Sequence, residues 1–342
     1  KLMRKYLFIF LLIFGCNSQK LNWFEGSLED AFLINTNQII MIDFYTDWCA
    51  PCKLLDSDTF SNEKVIEILH NNFIPIKINA ETKYGIKLFE KYKGTGYPLI
   101  LFLDREKNEI DRFYGFYPPN DFILKLNKIL SGDDTFPDLL TKYKLGDKSS
   151  TTVFDLAQKY FSRGEYDEAL DLYQIVLENK DLSYNMFHES KYSIGMIKLK
   201  NDDSRDMEDY IQKYPESFLL KQSVLNLLMY YKFNFLETEE LDLYSKYVDR
   251  FSDDPLFLNQ YAWRMSELNI NLNIALQKIN LSLSLIENND KNKAMINDTK
   301  AEIYWKLGQI DKAIITINES ISLDPSNKYY IEQKNKFLNS IN

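Results

Sequence analysis

The chain has 342 residues, of which 45% are hydrophobic and 27% are charged. This composition is ordinary for a globular protein and excludes extensive disorder, a collagen-like chain and a polytopic membrane protein. The formal net charge of −9 argues against nucleic acid as a partner. The three cysteines, Cys16, Cys49 and Cys52, are too few for a disulfide scaffold, so each needs its own explanation.

Residues 1–15 have the pattern of an export signal. Basic residues precede an apolar run over 6–14, which is too short to cross a bilayer core of ~30 Å as a helix. The run ends in Leu12-Ile13-Phe14-Gly15-Cys16, which resembles a bacterial lipobox with an unusually bulky residue before the glycine. The resemblance implies a lipid on Cys16, a membrane as partner and a periplasmic or envelope location, with Asn17 favouring the outer membrane. An ordinary signal peptide with an incidental cysteine is the alternative.

The next hundred residues alternate between helix and strand patterns. Ser27 is a suitable N-cap for a short first helix. Nearly continuous apolar runs predict buried strands, and a turn-like segment between two further runs predicts a β-hairpin. The predicted strands cover 39–45, 73–79, 99–103 and 110–114. The later predicted helices cover 51–70, 84–92 and 121–130.

The residue types that carry chemistry occur in Trp48-Cys49-Ala50-Pro51-Cys52-Lys53. Two cysteines separated by two residues at a helix start can close a small disulfide ring. Unpaired N–H groups and the helix dipole favour a thiolate at Cys49, the species that attacks in disulfide exchange. Cys52 lies one turn further, where we expect shielding that suits a resolving thiol. A zinc site would need two ligands besides the cysteines, and His70 and His188 are the only histidines in the sequence. The pair could also be a structural disulfide or an inactive remnant of an exchange site.

The segment 25–131 resembles a thioredoxin domain. The matching positions are Asp43 to Lys53, which follow the family's active-site run, Gly94-Thr95-Gly96-Tyr97-Pro98 at its cis-proline, Lys77-Ile78-Asn79 on the strand near its buried acid, and Gly115 after its last strand. The stretch Asp58-Thr59-Phe60-Ser61 with Val65 is also similar to the thioredoxin-like domain of the transmembrane disulfide-bond reductase of bacterial envelopes.

The resemblance implies four catalytic roles. Cys49 would be the nucleophile and Cys52 the resolving thiol of a redox disulfide. Asp43 would be a buried carboxylate of raised pKa that accepts the Cys52 proton, and Lys77 would be its partner. The alternatives are a strand-end acid for Asp43 and a solvated edge lysine for Lys77.

The resemblance also implies a substrate-binding surface and a direction of reaction. Pro98, if cis, would present the Tyr97 backbone to an extended substrate and prevent metal capture, and Trp48 would be a flat contact surface. The alternatives are a trans loop proline and a packing role for Trp48. Ala50-Pro51 lacks the histidine of strongly oxidising relatives, which favours a protein-disulfide reductase supplied by a membrane-side electron donor. No cofactor or metal is implied.

Helical periodicity replaces the strand patterns in the second half. Gly164-Glu165-Tyr166-Asp167-Glu168-Ala169-Leu170 and Gly308-Gln309-Ile310-Asp311-Lys312-Ala313-Ile314 resemble tetratricopeptide repeats. Weaker units near Gly195/Met207 and Ala262/Ala275, with a degenerate one near 231–254, predict about five helix pairs with the family's period of about 34 residues. The resemblance implies a protein partner on the concave face of the array.

These patterns together predict an α/β thioredoxin-like domain followed by an all-α tetratricopeptide-repeat solenoid. The predicted parts are a signal peptide over 1–15, a tether over 16–24, the thioredoxin-like domain over 25–131, a linker over 132–150 and the repeats over 151–342. The function they favour is an envelope thiol–disulfide oxidoreductase that reduces protein disulfides and docks partners through its repeats. A scaffold lipoprotein, in which repeat-mediated binding is the main role, is the alternative.

Overall fold

A computed structural model describes residues 20–34, 36–287 and 292–340. The predicted export signal over 1–15 and the lipidation site Cys16 lie outside the described residues. No helix in the described ranges has the length and apolar character needed to cross a membrane. The chain divides into two compact units, residues 1–197 and 198–342.

A four-stranded mixed sheet forms the centre of the first unit. Its strands are β1 (Ile39–Tyr45), β2 (Phe73–Asn79), β3 (Leu99–Leu103) and β4 (Glu109–Tyr114), in the order β2-β1-β3-β4. Strand β1 is parallel to β2, and β3 is antiparallel to both of its neighbours. The predicted strands are therefore confirmed, with β4 starting one residue earlier than expected. The inner strands are almost wholly apolar because helices cover both faces of the sheet.

The helices of this sheet domain form a layer on each face. Helix α1 (Leu28–Leu33) and α4 (Lys83–Lys91) pack on one face. Helix α3 (Glu63–Asn72) and α5 (Pro119–Ser131) pack on the other. Ser27 caps α1 as expected, because its hydroxyl accepts the N–H of Asp30 while the Asp30 carboxylate accepts the N–H of Ser27.

The prediction of one continuous helix over 51–70 is wrong. The structure has α2 (Ala50–Leu54), a π-helical turn (Leu55–Thr59) and then α3. The Asn62 side-chain oxygen accepts the N–H groups of Lys64 and Val65, so it caps a new helix. This cap follows the π-helical turn, which contains Asp56.

The polar segment 132–150, expected to be a linker, contains helix α6 (Phe136–Lys144). Phe136, Leu139, Leu140 and Tyr143 have the i, i+3, i+4, i+7 spacing of an apolar helix face. These side chains pack in one cluster with residues of the first repeat helices, and Leu139 is fully buried. The expectation of a linker was therefore wrong for α6, because the polar residues between these four positions hid the helical spacing.

Eleven helices follow α6 in the described residues. They are α7 (Ser150–Ser162), α8 (Tyr166–Glu178), α9 (Tyr184–Lys200), α10 (Arg205–Lys213), α11 (Leu220–Phe233), α12 (Glu237–Tyr247), α13 (Pro255–Leu268), α14 (Leu272–Leu285), α15 (Lys293–Lys306), α16 (Ile310–Leu323) and α17 (Lys328–Asn339). Small buried alanines, such as Ala157 with Ala169 and Ala301 with Ala313, recur in the helices of a pair. Such residues allow the two helices to approach closely.

Five turns of one type join α7 to α8, α9 to α10, α11 to α12, α13 to α14 and α15 to α16. The first residue at positive φ in each turn is Gly164 (71°), Asp202 (58°), Phe235 (57°), Asn269 (57°) or Gly308 (73°), and the fourth turn has a second one, Asn271 (50°). Each of these first residues donates its N–H to the carbonyl three residues earlier, and the next residue donates to the carbonyl five residues earlier. The separations, 202 − 164 = 38, 235 − 202 = 33, 269 − 235 = 34 and 308 − 269 = 39, agree with about five repeats. The third turn lies in the degenerate unit expected near 231–254.

Candidate functional site

Cys49 and Cys52 form a disulfide at the head of α2, with their Cα atoms 5.3 Å apart. Cys49 is the N-cap residue, and its sulfur accepts the backbone N–H of Cys52 at 3.2 Å. Both cysteines are buried to the same extent. The expected difference in shielding between a reachable Cys49 and an enclosed Cys52 is therefore not present in this oxidised form.

Asp43 and Lys77 face each other across the parallel strands β1 and β2. They are register partners, and the Lys77 ammonium lies 3.3 Å from the Asp43 carboxylate. Asp43 is almost completely buried, and one of its oxygens has no hydrogen-bond partner. Burial raises the pKa of Asp43 to about 6, while the positive charge of Lys77 opposes the rise and the negative charge of Asp56 adds to it. The result is a buried acid that titrates near neutral pH.

Besides Asp43, the Lys77 ammonium lies near a second carboxylate and three aromatic rings, those of Trp23, Tyr45 and Phe60. The ammonium forms an ion pair with Asp56 from the π-helical turn. It also lies 5.1 Å from the centre of a Trp23 ring and 4.9 Å from that of Tyr45. The alternative of a solvated edge lysine does not describe this arrangement, since these groups hold the ammonium beside Asp43.

Trp48 and Tyr97 form an aromatic surface beside the disulfide segment. The Trp48 side chain is 66% exposed and donates its indole N–H to Glu81 at 2.8 Å. The rings of Trp48 and Tyr97 meet edge to face with centroids 5.9 Å apart. The Tyr97–Pro98 peptide bond is cis, and the Pro98 carbonyl accepts the N–H of Gly115 at 3.0 Å.

Two charged residues of this region were not predicted from the sequence. Asp56 reaches Lys77 only because the chain forms a π-helical turn, which residue spacing does not reveal. Glu81 follows β2 by two residues, at the strand's carboxyl end. Position at a strand end was the signal that could have suggested Glu81. In the described ranges, no group of three or more His, Cys, Asp and Glu residues could hold a metal ion.

The site has the components of dithiol–disulfide chemistry. Its disulfide accepts two electrons when it is reduced to two thiols. A carboxyl group with a pKa near 6 can exchange a proton close to neutral pH. The exposed indole of Trp48 offers a flat apolar contact next to Cys49.

Comparison with known proteins assigns both regions. Residues 31–130 match the family described as a thioredoxin-like domain, and residues 296–327 match a tetratricopeptide repeat. The thiol:disulfide interchange protein DsbD of Campylobacter jejuni (strain RM1221) is 32% identical over 107 residues, which is 31% of this chain and 18% of the relative. The chain thus spans less than a fifth of the curated relatives it matches. It combines a thioredoxin-like domain with tetratricopeptide repeats.

Two solved structures are each similar to part of the chain. A putative disulphide-isomerase from Bacteroides thetaiotaomicron is 25% identical, with a TM-score of 0.29, and the match covers 34% of this chain and 94% of that one. A thermophilic TPR protein from Thermus thermophilus is 15% identical, with a TM-score of 0.31, and the match covers 56% of this chain and 99% of that one.

Proposed function

We propose that the protein is a thiol–disulfide oxidoreductase that reduces disulfides in protein substrates. The observation that carries the proposal is the Cys49–Cys52 disulfide at the head of α2, in a domain that also holds the buried Asp43–Lys77 pair. The similarity of this domain to a thiol:disulfide interchange protein supports the same chemistry.

The reaction begins from the reduced dithiol form. The Cys49 thiolate attacks one sulfur of the substrate disulfide, the substrate S–S bond breaks, and the other substrate sulfur leaves as a thiolate that takes a proton. Cys52 then loses its proton and attacks the Cys49 sulfur of the mixed disulfide. The second substrate sulfur leaves, and the protein ends as the Cys49–Cys52 disulfide, having given two electrons to the substrate.

Asp43 is proposed to accept the proton of Cys52 in the second step. Its carboxylate is buried on β1, and its pKa of about 6 leaves it mostly ionised at neutral pH. Lys77 keeps the pKa of Asp43 from rising further, because its positive charge favours the ionised carboxylate. Lys77 is therefore a positioning residue.

The direction of transfer and the location are parts of the same proposal. Ala50 and Pro51 have no side chain that can donate a hydrogen bond to the Cys49 thiolate, so reduction of substrates is favoured over oxidation. A lipid-anchored protein of the cell envelope, attached through Cys16, would need a membrane-side donor to regenerate its dithiol. The repeat helices would dock the substrate or another protein partner on their concave face.

Insulin reduction tests the activity. The reduced protein, supplied with dithiothreitol, should precipitate insulin chains faster than dithiothreitol alone, and a Cys49→Ser variant should not. Absence of acceleration by the folded wild type would overturn the oxidoreductase proposal and leave the scaffold alternative.

Trapping tests the substrate class. A Cys52→Ser variant retains the attacking thiol but lacks the resolving one, so mixed disulfides with protein substrates should accumulate through Cys49 in cells. The matched control is the Cys49→Ser/Cys52→Ser double variant, which should trap nothing. If both variants give the same pattern on a non-reducing gel, the exchange role is wrong.

A further inference from the structure

The turn between α11 and α12 contains a residue whose bulky side chain disfavours the backbone conformation that the turn requires. Phe235 has φ of 57°, in the left-handed region, where bulky side chains are outliers. The equivalent positions in the other four turns hold Gly, Asp, Asn and Gly, the residue types that tolerate this conformation. The backbone hydrogen bonds of all five turns are the same, so the turn itself gives no reason for a phenylalanine here.

Phe235 also gains nothing from burial. Its side chain is 93% exposed. Phe233 is 73% exposed and Met229 is 55% exposed, and these two lie four residues apart on one face of α11. Three large apolar side chains are thus presented to solvent within seven residues. We name Met229, Phe233 and Phe235 the hairpin tip. Local strain combined with exposed apolar surface is a mark of a functional contact rather than of folding.

Two acidic residues, Glu237 and Glu239, follow the hairpin tip in the chain. Glu237 and Glu239, at the start of α12, are exposed and have no ion-pair partner within 4.0 Å among residues 198–287 and 292–340. The nearby Lys232 is already paired with Glu267 at 2.8 Å.

We propose that the hairpin tip is a docking surface for a protein segment that carries apolar side chains flanked by lysine or arginine. The apolar residues would cover Phe233 and Phe235, and the basic residues would pair with Glu237 and Glu239. Such pairing steers association and makes the binding sensitive to salt. None of these residues belongs to the disulfide site.

The charge excludes two other occupants. A second copy of the same surface would bring the Glu237 and Glu239 carboxylates of both chains together, and like charges in contact disfavour association. An anionic membrane surface would also repel these carboxylates. A basic apolar protein segment is the occupant whose charge complements the surface.

The test uses the full chain and two synthetic peptides. One is a fluorescent amphipathic helix of leucine and lysine, and the other is its leucine–glutamate counterpart. The protein variants are Phe235→Gly, which also removes the φ strain, and Ile315→Ser, a matched control because Ile315 is 63% exposed on α16. Fluorescence anisotropy gives the affinities, and thermal melting gives the stability.

We expect saturable, salt-sensitive binding of the leucine–lysine peptide and none of the leucine–glutamate peptide. Phe235→Gly should weaken binding about tenfold without lowering the melting temperature, and Ile315→Ser should bind like the wild type. Equal binding by wild type and Phe235→Gly would overturn the proposal, as would a fall in the melting temperature of Phe235→Gly. Binding to phosphatidylglycerol vesicles, or a dimer that Phe235→Gly dissociates, would identify a membrane or a second copy as the occupant instead.

Discussion

A buried carboxyl group titrates near neutral pH in each of the two compact units. Burial raises the pKa of Asp43 to about 6 in the first unit and that of Asp298 to about 7 in the second. Each residue has one oxygen without a hydrogen-bond partner, and each feels the charge of one lysine. Only Asp43 lies in a domain that holds a disulfide at a helix start. A raised pKa by itself therefore indicates burial. It indicates a catalytic role only when the same domain also holds a reacting group.

Asp298 belongs to a group of polar side chains between α15 and α17. Glu302 lies one turn further along α15 and pairs with Lys336 of α17. The negative charge of Glu302 adds to the effect of burial on Asp298, and Lys336 opposes both. Burial and the Asp298 charge raise the pKa of Tyr329 to about 12. The Lys336 ammonium thus pairs with Glu302, and its charge also favours the ionised form of Asp298.

The largest effect is expected from Cys49→Ser. The variant lacks the attacking thiolate, so insulin reduction should fall by ~10⁴-fold or more, to the uncatalysed rate. The stability should change little, because a disulfide that joins residues three apart closes a very small loop. Turnover measured beside the thermal melt separates these two quantities, and residual turnover in a folded variant would contradict the assignment of the nucleophile.

The next largest effect is on stability, from Asp298→Asn. The pKa of Asp298 is 3.8 in a model peptide and about 7 in the folded chain, so the folded state binds more protons between these values. The stabilising contribution of protonated Asp298 is then complete at low pH, and this contribution is lost as pH rises towards 7. Asp298→Asn removes the carboxylate charge. The free energy of unfolding of the variant, compared with that of the wild type, should therefore be higher at pH 8 than at pH 4 by up to about 4 kcal/mol.

Denaturant titrations of wild type and Asp298→Asn at both pH values measure this difference. Glu302→Gln is the companion variant, because it removes the neighbouring negative charge and should lower the pKa of Asp298. A difference between wild type and Asp298→Asn that does not depend on pH would contradict the interpretation.

A smaller effect, on turnover, is expected from Asp43→Asn. Without a proton acceptor for Cys52, turnover at neutral pH should fall about 100-fold, and the rise of activity with pH near 6 should disappear. Asp298→Asn is the matched control, since it also neutralises a buried carboxyl group but should leave turnover within about twofold. Equal losses in the two variants would show that turnover follows stability rather than proton transfer.

Features that depend on neighbouring residues could be predicted from the sequence, whereas contacts between distant residues could not. The strands, the Cys49–Cys52 pair and the two repeat motifs depend on neighbouring residues, so local patterns reveal them. The pKa of Asp298 depends on the charge of Lys336, which lies 336 − 298 = 38 residues later in the chain. The link between Asp56 and Lys77 similarly depends on where a π-helical turn forms. Pairings of this kind are fixed by tertiary packing, which spacing along one chain does not encode.

The smallest effect is expected at Trp48, an exposed aromatic residue of the first unit, which we compare with the exposed Phe235 of the second. Trp48→Ala removes an exposed apolar contact while it leaves both cysteines in place, so we expect the KM for insulin to rise about fivefold with little change in kcat. Phe235→Gly should change neither quantity. Steady-state kinetics of the two variants at equal thermal stability provide the measurement. A fall in kcat for Trp48→Ala would mean that the indole acts on the exchange step itself. A raised KM for Phe235→Gly would mean that the hairpin tip takes part in binding the disulfide substrate, so that the two surfaces serve one partner rather than two.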